Sequence, residues 1–200
     1  MKRTGRRGYT VVEVIAAMTL FAIGAAGVIS MEKVTIQGGD DARRFDIATN
    51  IANQWAARLQ RDSTSWTKPD VDNPTSENYS SATKWLADIV SKEDQWHTPA
   101  MPTSSNGADS PAYDIFGHEL VAADTGQHIF CTQMRLHWVM KAPTTLGPWV
   151  GMMMRAEVRV VWARLETKII GDCASLGIAP DPTKYHSVYV TTALRPNPAK

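Results

Sequence analysis

From Val14 to Ile29 the chain carries no charge, and Thr19 is the only polar side chain in the run. Few folds accept such a stretch. About 20 apolar residues at ~1.5 Å per helical residue span the hydrocarbon of a bilayer, where a segment must satisfy its own backbone hydrogen bonds. Val11 to Met31 is 21 residues long, so it predicts one helical crossing. Lys2, Arg3, Arg6 and Arg7 precede it. Positive residues stay cytoplasmic, which predicts the N-terminus inside and everything after Met31 outside. A cleaved secretory signal would have an apolar core of about 7 to 15 residues and a small-x-small site after it. This run is longer and no such site follows, so an uncleaved helix is the better reading. Glu13 is the anomaly. A carboxylate costs roughly 2.5 to 3.5 kcal/mol at the centre of a bilayer and less near its edge, and it needs a named partner.

A basic leader ending in Gly8, then Tyr9, Thr10, Val11, Val12 and Glu13, resembles the N-terminus of a type IV prepilin. Tyr9 stands where Phe is usual, and the aromatic ring is retained. The continuation Glu13-Val14-Ile15-Ala16-Ala17-Met18, with Ala22-Ile23-Gly24-Ala25-Ala26-Gly27, resembles the PilV-type minor pilins. The resemblance implies an α+β, pilin-like fold: a long N-terminal helix, transmembrane in its first half, packed on a small antiparallel β-sheet. It implies that prepilin peptidase cuts between Gly8 and Tyr9 and that the new amine of Tyr9 is methylated. In such bundles the fifth-position carboxylate, here Glu13, neutralises the N-terminal ammonium of a neighbouring subunit. The small residues Ala16, Ala17, Gly24, Ala25, Ala26 and Gly27 would allow close helix approach. The implied role is a minor pilin that helps prime or cap pilus assembly. Its partners would be other minor and major pilins, prepilin peptidase, the inner membrane and a tip adhesin. Its domain would face the periplasm before assembly and the outside of the cell, in the pilus, after it. Two alternatives stay open: a minor pseudopilin of a type II secretion system, and a membrane-anchored periplasmic binding domain that never assembles.

The remaining chain divides into a leader (1–8), the membrane and assembly helix (9–31), its amphipathic outer half (32–62), a variable loop (63–127), and a sheet with tail (128–200). Phe45, Ala48, Ile51, Ala52, Trp55 and Leu59 recur at three- and four-residue steps, a helical stripe. Arg43, Arg44, Asn50, Asn53, Gln54, Arg58 and Arg61 lie largely off it. Gly38-Gly39 predicts a soft point within one long helix. The run ending Arg58-Leu59-Gln60-Arg61 also resembles the outer helix half of PilV-type proteins. Prolines at 69, 74, 99, 102 and 111 punctuate an irregular connection, with one short helix predicted over Ser81–Val90, Ser81 its cap and Trp85, Leu86 and Ile89 on one face. Period-two alternation over Phe130–Met140, Arg155–Arg164 and His186–Leu194 predicts three antiparallel strands, each with one buried and one wet face. Val158-x-Val160-x-Trp162 resembles the central strand of PilV-type proteins. Arg195–Lys200 reads as a frayed tail.

Charge and motifs narrow the function classes. The formal net charge is +1, but loss of the four basic leader residues would leave 17 basic against 20 acidic residues, or −3. Bulk charge therefore gives no reason to expect a nucleic-acid partner. Cys131 and Cys173 are the only cysteines. In an exported chain they read as one disulfide, the alternative being two buried thiols. The five histidines are scattered without the i, i+4 spacing of a zinc enzyme. His118, Glu119 and His128 read as solvated side chains rather than a metal set. Asp70, Asp72, Asn73 and Glu77 lack the glycine and terminal Glu of a calcium loop. Met152-Met153-Met154 reads as strand-entry packing. No catalytic motif, metal site or cofactor is expected, and the chain does not read as an enzyme.

Overall fold

The structure, a computed structural model, describes residues 9–68, 82–104, 109–124, 126–140, 152–164, 173–176 and 179–198. Its first element is helix α1, Val11–Ser63. Two compact units share this helix, Met1–Arg43 and Arg44–Lys200.

In the first unit α1 is long and apolar enough to cross a membrane, and none of its most apolar window is buried inside the protein. The helix has no break at Met31 and runs through Gly38 and Gly39, where an added Cβ would meet nothing within 4 Å. The two glycines thus lie within one long helix, as predicted.

In the second unit α1 buries Ala48, Ile51, Ala52, Trp55, Ala56, Leu59 and Ser63. The stripe is the predicted one except at its start. Phe45 is 53% exposed, because burial begins only at Ala48. The strands are β1 (Thr67–Lys68), β2 (Ala112–Tyr113), β3 (Phe130–Met140), β4 (Met153–Ala163), β5 (Tyr185–Leu194) and β6 (Asn197–Pro198). A four-stranded antiparallel sheet has the order β2-β3-β4-β5, and β1 pairs in parallel with β6. The long α1 packed on this sheet is the α+β arrangement that the resemblance implies. Its core unites Trp55 and Leu59 with Met134, Leu136, Ala156, Val158, Val160 and Leu194.

The predicted strands are β3, β4 and β5. The tail is not frayed as predicted: Asn197 pairs with Thr67, and its N–H donates to the Trp66 carbonyl at 2.7 Å. Pro198 fits there because an edge strand tolerates a residue without an N–H. The outer sheet face is wet only along part of its length. At the Cys131 end, Ala112, Cys131, Ala163 and Cys173 form a second apolar cluster with Met101, Leu120, Leu176 and Tyr185 against it.

The helix predicted over Ser81–Val90 is shorter. A 3₁₀ turn, Leu86–Asp88, leads into helix α2, Ile89–Lys92. Ser81 lies outside the described residues. The capping work falls to Asp62, whose carboxylate accepts the N–H groups of Lys84, Trp85 and Leu86 at 2.8, 2.8 and 3.1 Å. A carboxylate three residues after Leu59 thus ties the end of α1 to the connection.

Arg58, read from its spacing as off the stripe, does comparable work. Its Nε lies 3.3 Å from Asp109, another arm pairs with Glu119, and Nη1 donates to the Tyr113 hydroxyl at 3.1 Å. Trp55 Nε1 donates to the same hydroxyl at 2.8 Å. Periodicity missed Arg58 because its long stem can leave the helix beside the core while its head pairs with buried partners. Near this network Gly117 has φ +82°, and a Cβ there would sit 3.1 Å from Ile47 Cγ2, so turn and close approach both call for glycine.

Burial pushes the Tyr113 phenol up to about 12. The unfolded chain, with a phenol near the ordinary value of ~10, loses this proton first. The neutral phenol's contribution is intact below about pH 10 and lost as pH rises toward 12. Unfolding midpoints in denaturant should therefore fall across that window, by about 1.4 kcal/mol per pH unit for one proton. Tyr113→Phe should lower stability at pH 7 and remove that part of the alkaline slope.

Candidate functional site

The first turn of α1 is built by its own sequence. Thr10 is the N-cap and Glu13 the third helical residue. The Thr10 N–H donates to Glu13 Oε2 at 2.9 Å, and the Thr10 hydroxyl donates to the same oxygen at 3.1 Å. In return the Glu13 N–H donates to Thr10 Oγ1 at 3.3 Å. This is a capping box: two N–H groups that the helix leaves without partners are satisfied reciprocally. It also sets a negative charge at the positive end of the helix dipole. The carboxylate thus has an intramolecular partner, Thr10, which the sequence argument did not name. The signal was readable as Thr-x-x-Glu ahead of an apolar run.

Tyr9 directly precedes the cap and is 87% exposed. Tyr9, Glu13, Ala17 and Phe21 stand one helical repeat apart. With Val14 and Met18 they line one open, largely apolar face. Gly8 lies outside the described residues. A Cβ added at Gly24 or Gly27 would meet nothing within 4 Å, so nothing in the described part of this chain requires those residues to be small.

The structure joins Cys131 and Cys173 in a disulfide with Cα atoms 5.4 Å apart. Both residues are wholly buried. The bridge ties β3 to the 3₁₀ turn Cys173–Leu176 and anchors the second apolar cluster.

The other candidates do not converge. His118 lies on an exposed turn with Nδ1 3.1 Å from Asp114, while Glu119 pairs with Arg58. His128 is not solvated as predicted: it is wholly buried, and neither ring nitrogen has a hydrogen-bond partner. Preceded by Thr125, Gly126 and Gln127, it sits in a polar stretch that gave no sign of burial. His97 is paired with Asp88 at 2.9 Å. Among the described residues no three His, Cys, Asp or Glu side chains are grouped to hold a metal. The Asp70–Glu77 loop lies outside them. Met152 and Met154 are buried at the entry to β4.

The family model for the prokaryotic N-terminal methylation motif matches residues 3–29. No curated protein and no solved structure matches the chain. The matched segment contains the Gly8-Tyr9 junction, the Thr10–Glu13 box and most of the apolar run. It supports a type IV pilin-like protein, a structural subunit that interacts with other pilins and with prepilin peptidase.

Loss of a Thr N-cap costs about 1 kcal/mol. Thr10→Ala should therefore raise amide hydrogen exchange at Glu13 roughly fivefold in detergent micelles, with exchange beyond Ile47 unchanged. A 42-residue separation between the cysteines corresponds to about 4 kcal/mol in the loop-entropy treatment. Cys131→Ser should lower unfolding stability by about that amount, and non-reducing peptide mapping of the wild type should recover one linked pair.

Proposed function

We propose that this chain is a minor pilin, a subunit that helps prime or cap assembly of a type IV pilus. The observation that carries the proposal is the capped Glu13 on an exposed apolar helix face, within a prepilin-type methylation motif. A carboxylate in such a helix has to be compensated wherever it resides. In the membrane Thr10 does part of this. Cutting after Gly8 creates an ammonium on Tyr9, the kind of cation a neighbouring Glu13 lacks, since Val14 to Ile29 contains no Lys or Arg. Opposite charges brought together in a medium of low dielectric attract strongly, and separating them is costly. The pair thereby sets the register of one subunit against the next.

In this reading prepilin peptidase cuts the Gly8-Tyr9 bond and Tyr9 is N-methylated. The helix holds the subunit in the inner membrane, with the domain in the periplasm, until it enters the fibre. There other minor and major pilins, and a tip adhesin, are its neighbours. Gly24 and Gly27, which nothing in their own described chain needs small, leave room for a second helix at close range. The Cys131–Cys173 bridge fits an oxidising compartment.

Intact mass of the chain recovered from sheared fibres should begin at Tyr9 and carry one methyl group. Gly8→Val should leave the leader attached. Glu13→Val should insert into the membrane as well as wild type or better, and the ratio of fibre-associated to membrane-associated chain should fall at least tenfold. Glu13→Gln should follow Val if charge governs and wild type if polarity suffices. Full entry of Glu13→Val into fibres would show that charge pairing does not set register in this subunit. Association with secreton components instead of fibres would favour the pseudopilin reading.

A further inference from the structure

Beyond the disulfide-tied cluster the outer face of the sheet turns polar, with Gln133 and Arg159 buried in it and Arg155, Tyr189 and Thr191 exposed. Three rows cross it: Gln133–Arg159–Tyr189, Arg135–Glu157–Thr191 and His137–Arg155–Ala193. Ala193 is the only aliphatic side chain among them. At the edge of β3 the segment 94–97 takes up pairing where β2 leaves off. The Asp94 N–H donates to the Leu136 carbonyl at 2.8 Å, and His97 bridges Met134. Asp94 holds a left-handed turn, φ 59°, a conformation that Asp tolerates better than most residues. That turn sends Trp96 across the sheet.

Trp96 meets two guanidiniums and a phenol there. The Arg159 and Arg135 guanidinium carbons lie 4.4 and 5.0 Å from its ring centroid. Tyr189 meets its edge at 5.9 Å with the planes 70° apart. The guanidiniums are themselves held. Arg159 donates to the Gln133 side-chain oxygen, and the Arg135 and Arg155 Nε atoms each lie 2.9 Å from Glu157. Trp96 is half-buried, and Tyr189 is 58% exposed. Two aromatic rings at a steep angle therefore stand in a field of fixed polar groups. Three arginines face two carboxylates, Glu157 and Asp94, with His137 beside Asp94 at 3.7 Å. Within the three rows themselves, three arginines stand against one carboxylate, Glu157. Burial raises the Tyr189 phenol, but the Ser187 hydroxyl and the Arg159 and Arg135 charges outweigh it and draw it below its ordinary value.

We propose that this aromatic-and-arginine face binds an acidic saccharide, a polymer of uronic-acid type. A sugar ring presents C–H groups that stack on an aromatic face, which Trp96 and Tyr189 supply. A uronate carboxylate matches the planar fork of Arg155, 44% exposed in its side chain, and of Arg135. Thr191, which is exposed, and Glu157, which is half-buried, are placed to take sugar hydroxyls. A protein-docking surface would surround such aromatic and arginine residues with apolar, water-excluding contacts. Here, among the described residues, charged and polar groups surround them, as suits a wet, hydroxyl-rich ligand.

The test uses the full chain in detergent with an oligogalacturonate as probe. The controls are its methyl-esterified form, neutral dextran and an oligoglutamate peptide of similar charge. Intrinsic tryptophan fluorescence and calorimetry report binding. The oligogalacturonate should bind with a change in Trp emission, and esterification or Trp96→Ala should weaken it at least tenfold. Arg155→Gln, exposed and outside the core, should weaken the acidic probe several-fold and leave the thermal midpoint of the domain unchanged. Absence of binding to the oligogalacturonate by wild type overturns the proposal. So does equal binding of dextran, or binding of oligoglutamate with equal affinity and no dependence on Trp96, which would mark a merely basic peptide-binding surface.

Discussion

A carboxylate at the head of an apolar helix is the constraint from which the first unit follows. In bulk water Glu13 would be unremarkable. At the edge of a hydrocarbon layer its charge has to be met by groups that travel with it or by groups waiting at its destination. Thr10 is the travelling group, placed one turn earlier with backbone and hydroxyl both aimed at Oε2. Thr10 Oγ1 in turn accepts the Glu13 N–H, so neither residue can be exchanged without exposing the other. The capping box satisfies this carboxylate within its own helix, beside the exposed apolar face it heads.

The second unit rests on the same helix treated differently. Past Ala48 its stripe becomes the floor of a β-sheet core, and its polar residues become fasteners. Arg58 gathers Asp109, Tyr113 and Glu119 from the connection. Asp62 holds the backbone of 84–86. A long connection with few regular elements would otherwise depend on loop entropy alone. Side-chain charges rooted in the helix give it fixed points instead, and the Trp55–Trp85 edge contact at 5.6 Å fills the space between them.

Much of this was legible in the sequence. The apolar run, the helical stripe and the three long strands each repeat a period over ten residues or more, and repetition outvotes local exceptions. What could not be read consists of single side chains acting at a distance. Arg58 sits where spacing predicts solvent, and only its partners, more than fifty positions away, make it a half-buried ion-pair donor. His128 is one residue in a segment without periodicity. Asp62 holds the N–H groups of 84–86 from more than twenty positions away, where no local spacing points to it. The β1–β6 pair spans two residues per strand, too few for any pattern to show. The Thr10–Glu13 box is different: its Thr-x-x-Glu spacing ahead of an apolar run is written in the sequence itself.

The parallel pair between Thr67 and Asn197 sets an order of events. It joins positions about 130 residues apart, one just beyond α1 and the other after the last long strand. Synthesis proceeds from the N-terminus, so the apolar helix is complete while β5 is still unmade. The pair can close only when residue 197 has been made, and contacts of such long range form slowly. Until then Trp66, wholly buried in the finished domain, lacks part of its cover. A nascent chain stalled short of residue 197 would carry its helix and its three long strands yet stay unclosed, and its weak point would be the seam around Trp66.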